Sequence, residues 1–294
     1  MQLAFTIKLH HWDYVERQGG IELLTHLREA STRVVFRRAA IERAYEGFAA
    51  AEADGRVEAE VGGLGLVVVQ RALLAAEDLG GLLHAFRADD PWERLRKSTI
   101  SDLDAAYGWA LATPEEVFSK AFCLADGAVL REEGLTNDVI EPLMDLRRRE
   151  VARWSRMLEN AANLWHSLNG VAKATMHGFP VFAGTYVFDP PGAGEVGEGL
   201  RPSPFGRSAI AASSRERDGQ VRTARLPVRL DREGVATWAR WGKIAALLTG
   251  DLCANQAESR MRGYAAAIPL RLLWRLSLQE QELVRATLNR HEDS

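Results

Sequence analysis

Cysteine is scarce in this chain, and the common motifs of metal sites and catalytic sites are missing. Its 294 residues include two cysteines, Cys123 and Cys253, each with apolar neighbours, so we expect buried thiols and no disulfide framework. There is no HExxH, CxxC, GxSxG or P-loop motif. We therefore predict no bound metal and no cofactor, and the motifs alone do not decide whether the protein is an enzyme.

Long apolar runs and a strong net charge are absent as well. No apolar run approaches the roughly 20 residues that span a bilayer, and the first residues lack the basic start of a signal peptide. The net charge of −3 favours no class of partner. We expect a cytoplasmic protein without a membrane partner. The fractions of 47% hydrophobic and 26% charged residues are typical of a soluble globular protein.

One glycine-rich loop matches a dinucleotide-binding fingerprint, at Gly192, Gly194 and Gly197. That motif functions only between a strand and a helix whose N-terminus takes the pyrophosphate. Here prolines flank the loop on both sides, and glutamates beside the glycines would repel phosphate. We interpret the loop as a linker.

What the chain does have is apolar residues at helical spacing over most of its length. The pattern predicts helices over residues 21–53, 61–86, about 142–177 and 235–264, with a short strand at 3–9 and a last helix from Ser277. Thr113-Pro114-Glu115-Glu116 indicates another helix start, with a threonine cap and proline in first position. Gly170 interrupts the longest helix and leaves a break there open.

The pattern changes between residues 181 and 230. Residues 181–188 are aromatic and β-branched, and residues 207–214 and 221–230 flank Asp218-Gly219, a pair that favours a two-residue hairpin turn. Pro227 places the last strand at a sheet edge. We predict a mainly α fold, a helical bundle with a small antiparallel β-insertion of three short strands between helices. The predicted parts are a helical domain (1–180), the insertion (181–230) and C-terminal helices (231–294) that pack on the first part.

The longest predicted helix carries a row of polar residues beside an apolar face. Steps of three and four place the polar row within about one third of the helix circumference. The row consists of Glu159, Asn163, His166, Asn169, Lys173 and His177. The apolar face consists of Trp154, Leu158, Ala161, Trp165, Leu168, Ala172 and Met176. The polar row is either solvated or lines a site, and Gly170 beside it leaves room for a ligand.

Residues 169–179, with the pattern N-x3-K-x3-H-G-F, resemble a helix in HEPN-type proteins, helical bundles common in bacterial toxin–antitoxin and phage-defence systems. Ribonuclease members carry an arginine four to six residues before the histidine, and this chain has none at that distance. The resemblance implies binding or cleavage of RNA or a nucleotide. The catalytic residues it implies are His177, Lys173, Asn169 and His166. A histidine would serve as acid or base in 2′-hydroxyl attack, and a cation would stabilise the phosphorane.

Arginine is concentrated in the predicted hairpin, where seven arginines between Phe205 and Arg232 stand against three acidic residues. A basic hairpin can contact phosphates, and arginines on an edge strand also discourage aggregation. If the chain binds nucleic acid, the predicted contacts are Arg222, Arg225 and Arg229. Because their spacing of three and four does not keep one face of a strand, at most two can act together.

Two functions therefore remain open at the level of the sequence. In the first, the chain is a HEPN-like bacterial protein that binds or cleaves RNA or a nucleotide, in a toxin or defence system. In the second, it is a non-catalytic helical interaction protein that binds a partner protein or forms a homodimer. The tryptophan-bearing helix from Val235 would then be the contact face, because aromatic side chains are frequent in protein interfaces.

Overall fold

Long helices account for most of the fold. The computed structural model describes residues 20–87, 91–124, 127–132, 136–176, 181–184, 186–188, 200–202, 207–217 and 220–262. Four helices of these regions are 29 to 40 residues long: α1 (Gly20–Ala53), α2 (Glu58–Phe86), α7 (Asn137–Met176) and α8 (Arg232–Arg262). Shorter helices lie between α2 and α7: α3 (Pro91–Arg96), α4 (Ile100–Ala112), α5 (Pro114–Lys120) and α6 (Gly127–Glu132). The prediction of a mainly α fold is confirmed.

Strands occupy part of the stretch between α7 and α8. They are β1 (Val181–Gly184), β2 (Tyr186–Phe188), β3 (Leu200–Pro202), β4 (Ser208–Arg217) and β5 (Gln220–Arg229). β4 pairs antiparallel with β1 on one side and with β5 on the other, and β2 pairs antiparallel with β3. β5 contains Pro227 and lies at the edge of its sheet, where a residue without an N–H donor is tolerated.

The β4–β5 hairpin is closed by a two-residue connection. Arg217 and Gln220 are register partners at the strand ends, while Asp218 and Gly219 themselves lie outside the described residues. Three other predicted features also lie outside them: the strand at 3–9, the glycine-rich loop and the helix from Ser277.

Helix α1 follows its apolar periodicity. Its fully buried residues Leu23, Leu27, Ile41 and Phe48 recur at steps that return to one helix face. The helix ends where Gly55 adopts a left-handed backbone, with φ of 64°, and Gly55 N–H donates to the carbonyl of Glu52 at 3.2 Å. Glycine takes this conformation without the steric cost that a Cβ would add.

Helix α7 is longer than its sequence pattern indicated. It begins at Asn137 and continues through Pro142, so the predicted start near Pro142 is wrong. Ile140 and Leu143 are buried on either side of the proline, and this packing outweighs the hydrogen bond that proline cannot donate. The helix also continues through Gly170, so the break left open there does not occur. Its 40 residues extend about 60 Å.

Two threonines precede helices and behave differently. Thr113 precedes α5 as predicted, but its hydroxyl donates backwards to the carbonyl of Trp109 at 3.1 Å and makes no cap. Thr99 instead forms a reciprocal capping box with Asp102 at the start of α4. The sequence pattern identified the start of α5 correctly, and the side-chain partner of Thr113 was decided by the preceding helix.

The chain divides into two compact units, and the division falls inside all four long helices. The first unit comprises Met1–Val34, Gly80–Glu159 and Leu247–Ser294, and the second comprises Val35–Leu79 and Asn160–Ala246. The predicted three-part organisation stays a prediction.

In the first unit, buried amides hold the end of α5. Asn255 Nδ2 donates to the carbonyl of Phe122 at 2.9 Å, and Gln256 Nε2 donates to the carbonyls of Lys120 and Ala121 at 2.8 and 2.9 Å. The last carbonyls of a helix have no partner within the helix. Two polar residues of α8 are therefore buried without an unsatisfied amide nitrogen.

In the second unit, α2 and α8 approach each other closely. A Cβ added at Gly242 would lie 2.6 Å from the Cα of Ala72, so only glycine permits this separation of the two backbones. Arg37 Nε contacts Asp78 Oδ2 at 2.7 Å, and Lys243 Nζ contacts Glu42 Oε2 at 2.5 Å. The ion pairs link α1 to α2 and α1 to α8 around the contact.

Helix α2 is also the one described helix that is long and apolar enough to cross a membrane. Half of the apolar window that meets this criterion is buried within the structure. The core helix of a soluble protein meets the same criterion.

Candidate functional site

The apolar face of α7 is buried as its spacing predicts. Among the residues predicted for that face, Leu158, Ala161, Trp165 and Leu168 are at most 1% exposed, and Trp154 is 5% exposed. A helix with one buried stripe holds the opposite residues at its surface. The position of the polar row therefore follows from the packing of the apolar face.

The polar row begins at the surface and becomes half-buried toward its C-terminal end. Glu159, Asn163 and His166 are exposed, whereas Asn169 and Gly170 are half-buried. His166 and Asn169 each interact with other groups of the protein. The half-buried end is the part of the row where a group from another element could approach a bound molecule.

Of the four predicted catalytic residues, Lys173 is described only in its backbone and His177 is not described. The backbone of Lys173 belongs to α7, which ends at Met176, and the side chain of Lys173 and all of His177 lie outside the described residues. The geometry of the predicted catalytic set is therefore defined here at His166 and Asn169, and the roles of all four residues stay predictions.

Metal chemistry finds no ligand cluster in the described part of the chain. Within it, no group of three or more histidine, cysteine, aspartate or glutamate side chains is placed to hold a metal ion. Cys123 and Cys253 are both buried, and neither forms a disulfide bond.

The hairpin begins at an arginine that is held by two carboxylates. Arg207 donates to both carboxylate oxygens of Glu58, at 2.7 and 2.8 Å, and to Glu52 at 3.4 Å. Its side chain is 12% exposed. The hydrogen bonds from Arg207 hold the pKa of the Glu58 carboxyl below its ordinary value of 4.5. This bidentate geometry is the strong form of an arginine–carboxylate pair.

The hairpin ends at a second arginine that is also occupied. Arg229 donates to both oxygens of Asp231, at 2.6 to 3.2 Å, and to Glu233 at 2.8 Å. These carboxylates raise the pKa of Arg229. Its backbone carbonyl accepts a hydrogen bond from Trp238 Nε1 at 2.8 Å. The guanidinium predicted to contact phosphate thus has two carboxylate partners of its own.

The backbone register sorts the remaining arginines by face. Arg215 is the register partner of Arg222, and Arg217 pairs with Gln220 two residues closer to the turn. Because strand positions alternate between faces, these three arginine positions share one face of the hairpin. Arg225, opposite Ala212, lies on the other face together with Arg229.

This arrangement separates the predicted phosphate contacts and adds two residues that sequence reasoning missed. Arg222 lies on the opposite face from Arg225 and Arg229, as their spacing required. Arg215 and Arg217 were missed because the prediction considered one strand alone. The signal was present, since residues equally far from a two-residue turn are register partners.

The tryptophans of α8 have partners inside the protein. Trp238 and Trp241 are half-buried and stack edge to face, with ring centroids 5.6 Å apart. The most exposed large apolar residues near a helix centre are instead Val35 and Phe36 of α1, at 69% and 67% exposure. If the protein has an apolar contact surface, these two residues are the stronger candidates in the described chain.

Comparison with known proteins gives no match: no family model, no curated protein and no solved structure aligns with this chain.

Proposed function

We propose that this protein binds RNA through its phosphate groups, as a HEPN-like helical bundle whose β4–β5 hairpin is the contact element. The observation that carries the proposal is the charge of this hairpin region, where seven arginines stand against three acidic residues in a chain of net charge −3. Basic surface concentrated on one element is the electrostatic footprint of nucleic-acid binding. The proposal includes residues 181–230 as one antiparallel β-insertion between helices.

The anchoring of the hairpin supports this role. Arg207 at its start is bonded to Glu52 and Glu58, which flank the turn between α1 and α2. Leu230 at its end is fully buried and lies near Gly65 of α2. A basic ribbon held at both ends to helices presents its charges from a fixed position, and less conformational entropy is lost on binding.

Cleavage is the catalytic part of the proposal and belongs to the polar row of α7. His177 or His166 would transfer the proton in 2′-hydroxyl attack, Lys173 would stabilise the phosphorane charge, and Asn169 would orient the substrate. The half-burial of Asn169 beside Gly170 supports this end of the row as the place where substrate sits.

The test is RNA binding at low ionic strength followed by a cleavage assay. A fluorescent single-stranded RNA should bind the full-length protein with an affinity that falls as salt rises. His177→Ala and His166→Ala should abolish any cleavage while leaving binding within about twofold. Salt-insensitive binding, or no binding at about 50 mM salt, would contradict the proposed function.

A second candidate is a non-catalytic helical interaction protein that forms a homodimer. It draws support from the adjacent exposed residues Val35 and Phe36, because exposed apolar residues that cluster mark interaction sites. Mass measurement in solution distinguishes the two candidates. A dimer that dissociates in Phe36→Ser and binds no RNA would favour this second function.

A further inference from the structure

We infer that Arg215, Arg217 and Arg222 form one binding site for the phosphodiester backbone of a single-stranded polynucleotide. The inference rests on the proposed RNA binding and goes beyond it, because it names the residues, the face and the chemical group that is bound. It replaces the set of three arginines that the spacing along β5 alone had suggested.

The register of the hairpin brings three arginine positions close together. Arg215 of β4 and Arg222 of β5 are direct cross-strand partners, and Arg217 lies two positions from Arg215 on the same face. Direct partners in an antiparallel pair have Cβ atoms about 5 Å apart, and positions two apart along a strand are separated by about 7 Å. The Cβ positions of the three arginines thus lie within about 5 to 9 Å of one another.

Without a bound anion, this arrangement costs free energy because the positive charges repel one another. Like charges directly opposite each other in an antiparallel pair are destabilising. The hairpin places Arg215 opposite Arg222, although small uncharged residues occupy nearby positions of the same strands, such as Ser213 and Ala224. An anion bound between the two arginines removes the repulsion, and arginine binds phosphate oxygens with two parallel hydrogen bonds.

Acidic and basic positions near the turn lie on different faces of the hairpin. Glu216 pairs with Val221 and therefore lies on the face opposite to the three arginines. The arginines at the other end of the hairpin, Arg207 and Arg229, are already bonded to carboxylates. Near the turn, the face that carries Arg215, Arg217 and Arg222 therefore groups three arginine positions with no acidic position among them.

The residue types on this face indicate the kind of ligand. The positions on this face near the turn are arginine, glutamine, serine and alanine, with no aromatic residue on either strand of the hairpin. Reading of bases in single strands relies on stacking against aromatic side chains. The site therefore binds backbone phosphates of any base sequence, and several consecutive phosphates bind more tightly than one.

The test uses the full-length protein and four probes: 12-nucleotide oligo-U, 12-nucleotide oligo-A, inorganic pyrophosphate and vesicles that contain phosphatidylserine. Oligo-U and oligo-A should bind with similar affinities. Three neutralised phosphates correspond to a slope of about −2 for log affinity against log salt. Pyrophosphate should compete only weakly. Vesicles that bind as tightly as the oligonucleotides would overturn the assignment to a polynucleotide.

The variants separate this site from general charge. Replacing Arg215, Arg217 and Arg222 together with glutamine should weaken oligonucleotide binding at least about tenfold and reduce the salt slope by about two. The matched control replaces three exposed arginines on helices of the same unit, namely Arg38, Arg43 and Arg71, and changes the net charge equally. It should weaken binding less than about threefold.

The face assignment has its own comparison, between Arg222→Gln and Arg225→Gln, which lie on opposite faces of the same strand. Arg222→Gln should weaken binding more. Equal losses in these two variants, or in the two triple variants, would overturn the site while leaving RNA binding intact. No binding by the unmutated protein would instead overturn the proposed function itself. Circular dichroism on every variant shows whether a loss arises from unfolding.

Discussion

The two ends of the β4–β5 hairpin differ in the residues that lie beside their arginines. At the base, Arg207 and Arg229 each contact two carboxylates. At the tip, Arg215 has another arginine, Arg222, as its cross-strand partner. Carboxylates at the base bind Arg207 and Arg229, whereas the register at the tip brings three arginine positions to one face of the hairpin. The difference separates the arginines that hold the hairpin to its unit from the arginines that the proposed RNA binding uses.

The physical cause of the difference is the neighbourhood of each end. The base lies against the turn between α1 and α2, where Glu52 and Glu58 provide carboxylates. Near the tip, β4 and β5 pair with each other, up to Arg217 and Gln220. An arginine that is 12% exposed needs a partner because an unpaired buried charge is costly.

The largest expected effect comes from removing the charge at the base. Arg207→Met should lower the free energy of unfolding by roughly 2–3 kcal/mol, because Glu58 loses both hydrogen bonds from Arg207 and Glu52 keeps only its longer contact with Arg232 at 3.9 Å. Arg217→Met at the tip should change it by less than about 0.5 kcal/mol. Urea unfolding followed by circular dichroism measures both. Similar losses in the two variants would remove the distinction between base and tip.

The next effect tests the packing of the base. In Gly234→Ala the new Cβ would lie 2.9 Å from the backbone carbonyl oxygen of Arg229 and 2.8 Å from Asp231 Oδ1. We expect a loss of about 1–3 kcal/mol, because a backbone atom cannot move away cheaply. Gly65→Ala is the control, since its nearest neighbours are at 3.4 to 3.6 Å. It should be neutral or stabilising by up to about 1 kcal/mol, and thermal unfolding checks the difference.

A smaller effect is the pH dependence of the base. The pKa of Glu58 is below 4.5 in the folded protein because of its hydrogen bonds with Arg207. Its contribution to stability is therefore present above pH 4.5 and is lost as the pH falls through the folded pKa. Glu58 is 47% exposed, so the effect should stay under about 1 kcal/mol. Tm measured from pH 6 to pH 3 should fall less in Glu58→Gln than in the unmutated protein. An unchanged pH profile would show that the pair contributes nothing.

The smallest effect concerns repulsion at the tip. Arg215→Glu converts the like-charged pair with Arg222 into an oppositely charged one and should stabilise the free protein by about 0.5 kcal/mol. Arg225→Glu is the control, because its cross-strand partner is Ala212. Unfolding experiments in a buffer without phosphate measure the difference. Destabilisation by Arg215→Glu greater than that by the control would mean that the tip carries no net repulsion.

Much of the helical architecture was predictable because helical periodicity is a local property. The predicted helix over 21–53 corresponds to Gly20–Ala53, and the one over 235–264 begins at Arg232 and is described to Arg262. The buried face of α7 was also predicted residue by residue where the structure describes it. The start of α7 was not, because burial of Ile140 and Leu143 holds a helix through a proline that local rules place at its beginning.

The candidate sites were predictable to different degrees. The polar row follows from the spacing of its residues on one helix, and the exposure of Glu159, Asn163 and His166 agrees with that spacing. The arginine face of the hairpin was only partly predicted, because it combines β4 with β5. The turn at Asp218-Gly219 predicts the strand pair, and counting outward from it would have found Arg215 and Arg217 as well.

By itself the sequence determined the helices, their apolar faces and the strong positive charge of the hairpin, because each depends on residues close together in the chain. Arg229 pairs with Asp231 and Glu233, which lie close to it in the chain, but only the tertiary structure decided the carboxylate partners of Arg207. Arg207 finds Glu58 and Glu52 from 149 and 155 residues away. Such pairs form when packing brings distant elements together, and ion pairing is too weak at the surface to select partners without that packing.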